Sequence, residues 1–83
     1  MPTGDDGRVS VDPESPDYIW RQVADLIAER IRQGVYTSRL PSEGALAQEF
    51  GIGRNTVRHA VEDLRDRGLV ITVPQRGTFV KRG

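Results

Sequence analysis

No cysteine occurs in the 83 residues, which excludes disulfides and thiolate metal sites. Histidine occurs once, at His59, so no histidine cluster can assemble around a metal ion. The chain has no phosphate-binding glycine loop and no inward-facing carboxylate pair at a useful spacing. Together these absences argue against an enzyme, and no cofactor and no metal are expected. No apolar run approaches the ~20 residues of a membrane span, and the N-terminus lacks the apolar centre of a signal peptide, so no membrane association is expected. A chain this short allows one small domain. Its core must form without covalent or metal staples.

Net charge is also lacking, but its absence conceals a division. Residues 1–17 carry five acids against Arg8 alone, and residues 18–83 carry eleven basic groups against seven acids. A mildly basic domain behind an acidic tail suits a nucleic-acid binder. Residues 1–14, MPTGDDGRVSVDPE, hold two prolines, two glycines and few apolar groups. They cannot bury enough surface to offset ordering, and a disordered acidic tail is expected. It is either a solvated leader or an electrostatic competitor with DNA for the basic face.

The domain is expected over residues 15–83. Ser15-Pro16-Asp17 reads as a helix start, with an N-cap, a proline at the first helical position and an acid in the first turn. Ile19, Val23, Leu26, Ile27 and Ile31 then recur at helical spacing up to about Gln33. Tyr18 and Trp20 flank this stripe as packing aromatics, and Arg30 falls within it, to snorkel or pair near the helix end. Gly34 to Pro41 reads as an extended loop in which Val35 and Tyr36 pack and Leu40 anchors. Ser42 caps a two-turn helix, EGALAQEF, in which Gly44 is a weakness. Gly51-Ile52-Gly53 is a turn, and a third helix follows from about Arg54 to Arg67. Leu69–Val73 and Thr78–Val80 are short β-branched runs around Pro74-Gln75-Arg76-Gly77, the pattern of a hairpin. The expected fold is mainly α (α+β): three helices and a two-stranded hairpin packed on them.

Residues 43–62 carry the chemistry. Small Ala47 lets two helices approach, Gly51 turns the chain and Ile52 fills the corner, which is the pattern of a helix–turn–helix. Such a unit presents the N-terminal residues of its second helix to the DNA major groove. At about 100° per residue, Val57, Ala60, Val61 and Leu64 share one face, and Asn55, Arg58, His59 and Glu62 share the other. Arg58 suits guanine N7 and O6, and Asn55 suits adenine N6 and N7. Arg54 and Thr56, on the flanks, suit phosphate oxygens. Ser42 and Glu43 start the preceding helix, where free N–H groups and the Ser42 hydroxyl suit a further phosphate. His59 is read as a solvated surface histidine, with a base or phosphate contact as the functional alternative. Glu62, Asp63 and Asp66 lie further along and mark where DNA contact should stop. Arg76, on its glycine-containing tip, suits the negative potential of a minor groove.

The run LPSE…LA..FG…R.TVR.A…L…GL followed by RGTFV resembles the GntR family of bacterial transcription regulators, specifically their N-terminal winged helix–turn–helix domain. The likeness covers Tyr18 to Lys81. It implies a winged helix–turn–helix with a wing at 69–81, binding double-stranded operator DNA, usually as a homodimer on a palindromic site. It also implies DNA contacts at the positions matching Glu43 or its neighbour, Arg54, Asn55, Thr56, Arg58, Arg76 and Gly77. A regulator of this kind, most often a repressor, works in the cytoplasm and on the nucleoid when bound. Three positions depart from the family pattern. Gly44 stands where an arginine is frequent, Gly53 replaces a serine or threonine cap, and Gln75 replaces a wing glycine. Each is expected to weaken affinity or shift specificity, leaving the wing at Arg76 a larger share of binding. Family members continue into a C-terminal effector-binding and dimerising domain. None follows Gly83, so an excised domain or a stand-alone short regulator is expected, with no small-molecule effector inferable. The competing reading from another class is a winged-helix adapter for protein partners. The polar Asn55 and Arg58 tell against it, since an adapter would present apolar anchors.

Overall fold

The structure, a computed structural model, describes residues 18–81. Helices α1 (Ile19–Arg32), α2 (Glu43–Phe50) and α3 (Arg54–Asp66) precede strands β1 (Val70–Val73) and β2 (Gly77–Val80). The first helix starts later than the sequence suggests. Tyr18 holds the cap position with extended backbone (φ −62°, ψ 145°), and its carbonyl accepts from the amides of Arg21 and Gln22 at 3.0 and 3.1 Å. The expected start at Ser15-Pro16-Asp17 and the tail at 1–14 lie outside the described residues.

The apolar stripes expected from spacing meet in one core. Val23, Ala24 and Ile27 of α1 pack with Leu46 and Phe50 of α2 and with Val57, Ala60, Val61 and Leu64 of α3. Leu40 and Val70 close the core from the loop and the wing. No polar residue among those described is buried in it. Two expectations fail here. Val35 is 60% exposed and does not pack, and Tyr18, 71% exposed, stays outside the core and stacks on the Trp20 ring. Both lie at the ends of α1, beyond the reach of α2 and α3.

Helix α2 has only eight residues and cannot persist alone. Its ends are satisfied locally: the Ser42 hydroxyl oxygen accepts from the Ala45 amide at 3.1 Å, and Gly51 closes the helix at φ +69°. One ion pair ties it to α1. Arg30 donates to Glu49 at 3.2 Å and also to the Tyr36 hydroxyl, with its guanidinium carbon 5.2 Å from the Phe50 ring centroid. The in-stripe arginine therefore spends its charge between two helices under aromatic cover. At the opposite end, Arg67 joins Asp25 of α1 to Asp63 of α3, both at 2.7 Å.

The strands pair antiparallel, with Val70 opposite Val80 and Val73 opposite Gly77. The Arg76 amide donates to the Val73 carbonyl at 3.0 Å, with Pro74 first and Gln75 second in the turn. Gln75 has φ +65°, the pattern of a type II turn that ordinarily takes glycine there. The loop before α2 contributes more than an extended path. Its Leu40 amide donates to the Thr78 carbonyl at 2.8 Å and its Ser38 carbonyl accepts from Val80 at 2.7 Å. Arg39 thereby bridges Phe79 along the outer edge of β2.

The hydrogen bond from Arg30 holds the Glu49 carboxyl below its ordinary range near 4.5. A depressed folded-state pKa contributes stability above the unfolded value, and the contribution is lost as pH falls through the folded one. Glu49→Gln is therefore expected to lower stability at pH 7 and to lose that deficit near pH 3, as read by paired denaturant titrations.

Candidate nucleic-acid interface

Helix α3 divides cleanly. Its apolar side is buried, and its first turns present Arg54, Asn55, Arg58 and His59 to solvent with Thr56 half-buried. Gly53 caps it without a side-chain hydrogen bond, as the missing serine or threonine implies.

Three of the expected site residues form one hydrogen-bonded set. Arg58 donates to Asn55 Oδ1 at 3.1 Å and to Glu43 Oε1 at 3.2 Å. The Arg58 side chain remains 54% exposed, so the pair adds little to stability. Its effect is orientation: Glu43 reaches across from the start of α2 and aims the guanidinium along the outer face of α3. The Ser42 hydroxyl accepts within its own helix, which leaves its O–H to donate outward.

Arg54 fills the space that Gly44 leaves. A Cβ built on Gly44 would sit 2.9 Å from Arg54 Nη2. The Arg54 guanidinium lies against Gly44 where any other residue's side chain would begin. A second glycine does the same for an arginine outside the expected set. A Cβ on Gly77 would lie 2.9 Å from Arg39 Nε, so Gly77 seats Arg39 against the wing. Both seats face a cleft of about 450 Å³ between the start of α2 and the wing. Sequence reading passes over Arg39 because nothing local marks residues 38–40 as an edge partner of β2. Arg76 stands exposed at the wing tip.

His59 is not simply solvated. It stacks on Trp20 with ring centroids 4.1 Å apart and planes 17° apart, and Trp20 stacks in turn on Tyr18 at 6.2 Å. Trp20 thus packs as expected, but onto α3, and the stack ties that helix to the start of α1. Among the described residues no group of three or more histidines or carboxylates is placed to share a metal ion, and no helix is long and apolar enough to cross a membrane.

The architecture is that of a winged helix–turn–helix domain. A family model described as bacterial regulatory proteins, gntR family, matches residues 20–80. An HTH-type transcriptional regulator of Rhizobium meliloti is 48% identical over 66 residues, covering 77% of this chain and 27% of that protein. The histidine utilization repressor of Klebsiella aerogenes is 37% identical over 68 residues, covering 80% of this chain and 28% of that protein. A crystal structure of the AraR DNA-binding domain in complex with operator ORE1 superposes with a TM-score of 0.78 at 31% identity, covering 89% of this chain and 99% of that one. The chain belongs to the GntR family of bacterial regulatory proteins, a family of DNA-binding transcription regulators rather than enzymes. It spans little more than a quarter of the length of the curated relatives it matches.

Gly44→Ala removes the helix cost of glycine, up to about 1 kcal/mol. It also forces the Arg54 guanidinium from its seat. The expected outcome is a melting temperature raised by a few degrees together with weaker binding of duplex DNA, checked by thermal denaturation and fluorescence anisotropy on the same preparation.

Proposed function

We propose that this chain binds double-stranded operator DNA sequence-specifically and regulates bacterial transcription as a repressor. The observation that carries this reading is the exposed Glu43–Arg58–Asn55 set at the start of α3. A bidentate guanidinium beside a carboxamide is the pairing that discriminates guanine and adenine in a major groove. Arg54 and Thr56 on the flanks, and Ser42 at the start of α2, hold phosphates. His59, stacked on Trp20, borders the same face and reaches only the backbone nearest α1. Arg76 and Gly77 take the wing to the minor groove. The repressor role is supported by likeness to the histidine utilization repressor, and operator binding by likeness to the AraR DNA-binding domain.

Two copies on a palindromic site, one helical turn apart, complete the arrangement. The protein acts in the cytoplasm, on the nucleoid when bound. The described residues and the family membership name no small-molecule effector. An adapter role finds less support, because the exposed face of α3 is polar and offers no apolar anchor.

Arg58→Ala is expected to cost about 1–3 kcal/mol of specific binding and to relax preference at one base pair. Arg76→Ala is expected to weaken binding with little change in preference. Anisotropy titrations against all single-base variants of a bound duplex measure both. A uniform loss across every variant for Arg58→Ala would remove it from base reading.

A further inference from the structure

We propose that Arg39 is a DNA-contacting residue that works with Arg54 as a clamp on one backbone phosphate at the mouth of the cleft between α2 and the wing. The proposal rests on the DNA-binding reading above and extends it to a residue and a contact that reading does not include.

Two independent seats hold the arginines. Arg54 comes from α3 and lies against the backbone of Gly44; Arg39 comes from the loop paired along the edge of β2 and lies against Gly77. Any side chain at either glycine would displace the guanidinium it seats, so both cations are drawn in close to main chain. Both line the same cleft, one on the α3 side and one on the wing side. Among the described residues neither has a carboxylate within ion-pair distance. The acid in the cleft, Glu43, is engaged by Arg58. Two arginines without acidic partners lining one cleft give it a positive potential that favours an anion.

The remaining lining favours an oxyanion. Ser42 and the positive end of α2 open into the cleft, and Thr72 and Thr78 bring hydroxyls from the wing. Thr72 already accepts from Arg65, and its hydroxyl lies 3.4 Å from that of Thr78. Planar guanidiniums on two walls suit the two free oxygens of a phosphodiester. The cleft lies between the start of α2 and the wing with Arg54 of α3 at its wall, where the backbone must pass if α3 and the wing each enter a groove. Arg39 therefore positions the duplex without reading sequence.

The test compares the full chain with Arg39→Ala, Arg39→Lys and Arg58→Ala on two duplexes, one recovered by selection from a random pool and one scrambled. Affinity is measured over a chloride series. Arg39→Ala should lose about tenfold on both duplexes alike, and its slope of log affinity against log salt should fall by about 0.9, the value for one phosphate. Arg39→Lys should keep the slope of the parent, which a merely structural role would not require. Arg58→Ala should lose the preference between duplexes. If Arg39→Ala retains both affinity and slope while Arg58→Ala loses preference, the clamp is wrong and the DNA reading stands. If the parent chain binds neither duplex, both fall together.

Discussion

The structure depends on the burial of one stripe of α3. Val57, Ala60, Val61 and Leu64 lie against α1 and α2 with almost no exposure. Each larger side chain so buried contributes roughly 1.5–3 kcal/mol, while an isolated helix of this length is marginal in water. The same burial supports α2, whose eight residues could not hold a helix without Leu46 and Phe50 in the core. Because the core takes one face completely, the opposite face of α3 packs only through the His59 ring against Trp20. Asn55 and Arg58 stand exposed on it, joined by a hydrogen bond.

Charge is distributed along α3 in keeping with that division. At its far end Arg67 is tied to Asp25 and Asp63, and Arg65 to Thr72 of the wing. These pairs hold α3 to its neighbours and leave no surplus of positive charge there. At the near end Arg54 has no acidic partner among the described residues, and the one acid, Glu43, serves to aim Arg58. The ring stack of Tyr18, Trp20 and His59 braces the same end from the α1 side. The near end of α3 is thus fixed from two directions, by α2 through Glu43 and by α1 through Trp20, while Arg54 keeps no acidic partner among the described residues.

Much of this was legible from spacing. The apolar residues of α1 and α3, the Ser42 cap, the Gly51 turn and the Pro74–Gly77 tip each carry a local physical signature, and each stands where that signature puts it. What escaped was non-local. Gly44 reads as a weakness in a helix until Arg54 is seen lying on it. Arg39 reads as a loop residue until its neighbours pair with β2. Val35 is apolar enough to suggest packing, but it lies past the elements that could cover it, and Tyr18 stacks on the Trp20 ring outside the core. The later start of α1 also eluded the capping rule, because the Tyr18 carbonyl serves the first turn without a side-chain cap. At Gln75 the reverse occurred: a missing glycine suggested an altered turn, and the positive φ is retained by a residue that tolerates it poorly.

The central claim is that the near end of α3 reads base sequence. Its most direct test is selection of bound sequences from a random duplex pool, followed by comparison of affinities for the recovered and scrambled duplexes at about 0.15 M salt. The account predicts one recovered motif and a preference for it of at least about a thousandfold, the lower range for specific DNA binders. Equal affinity for the two duplexes would contradict it.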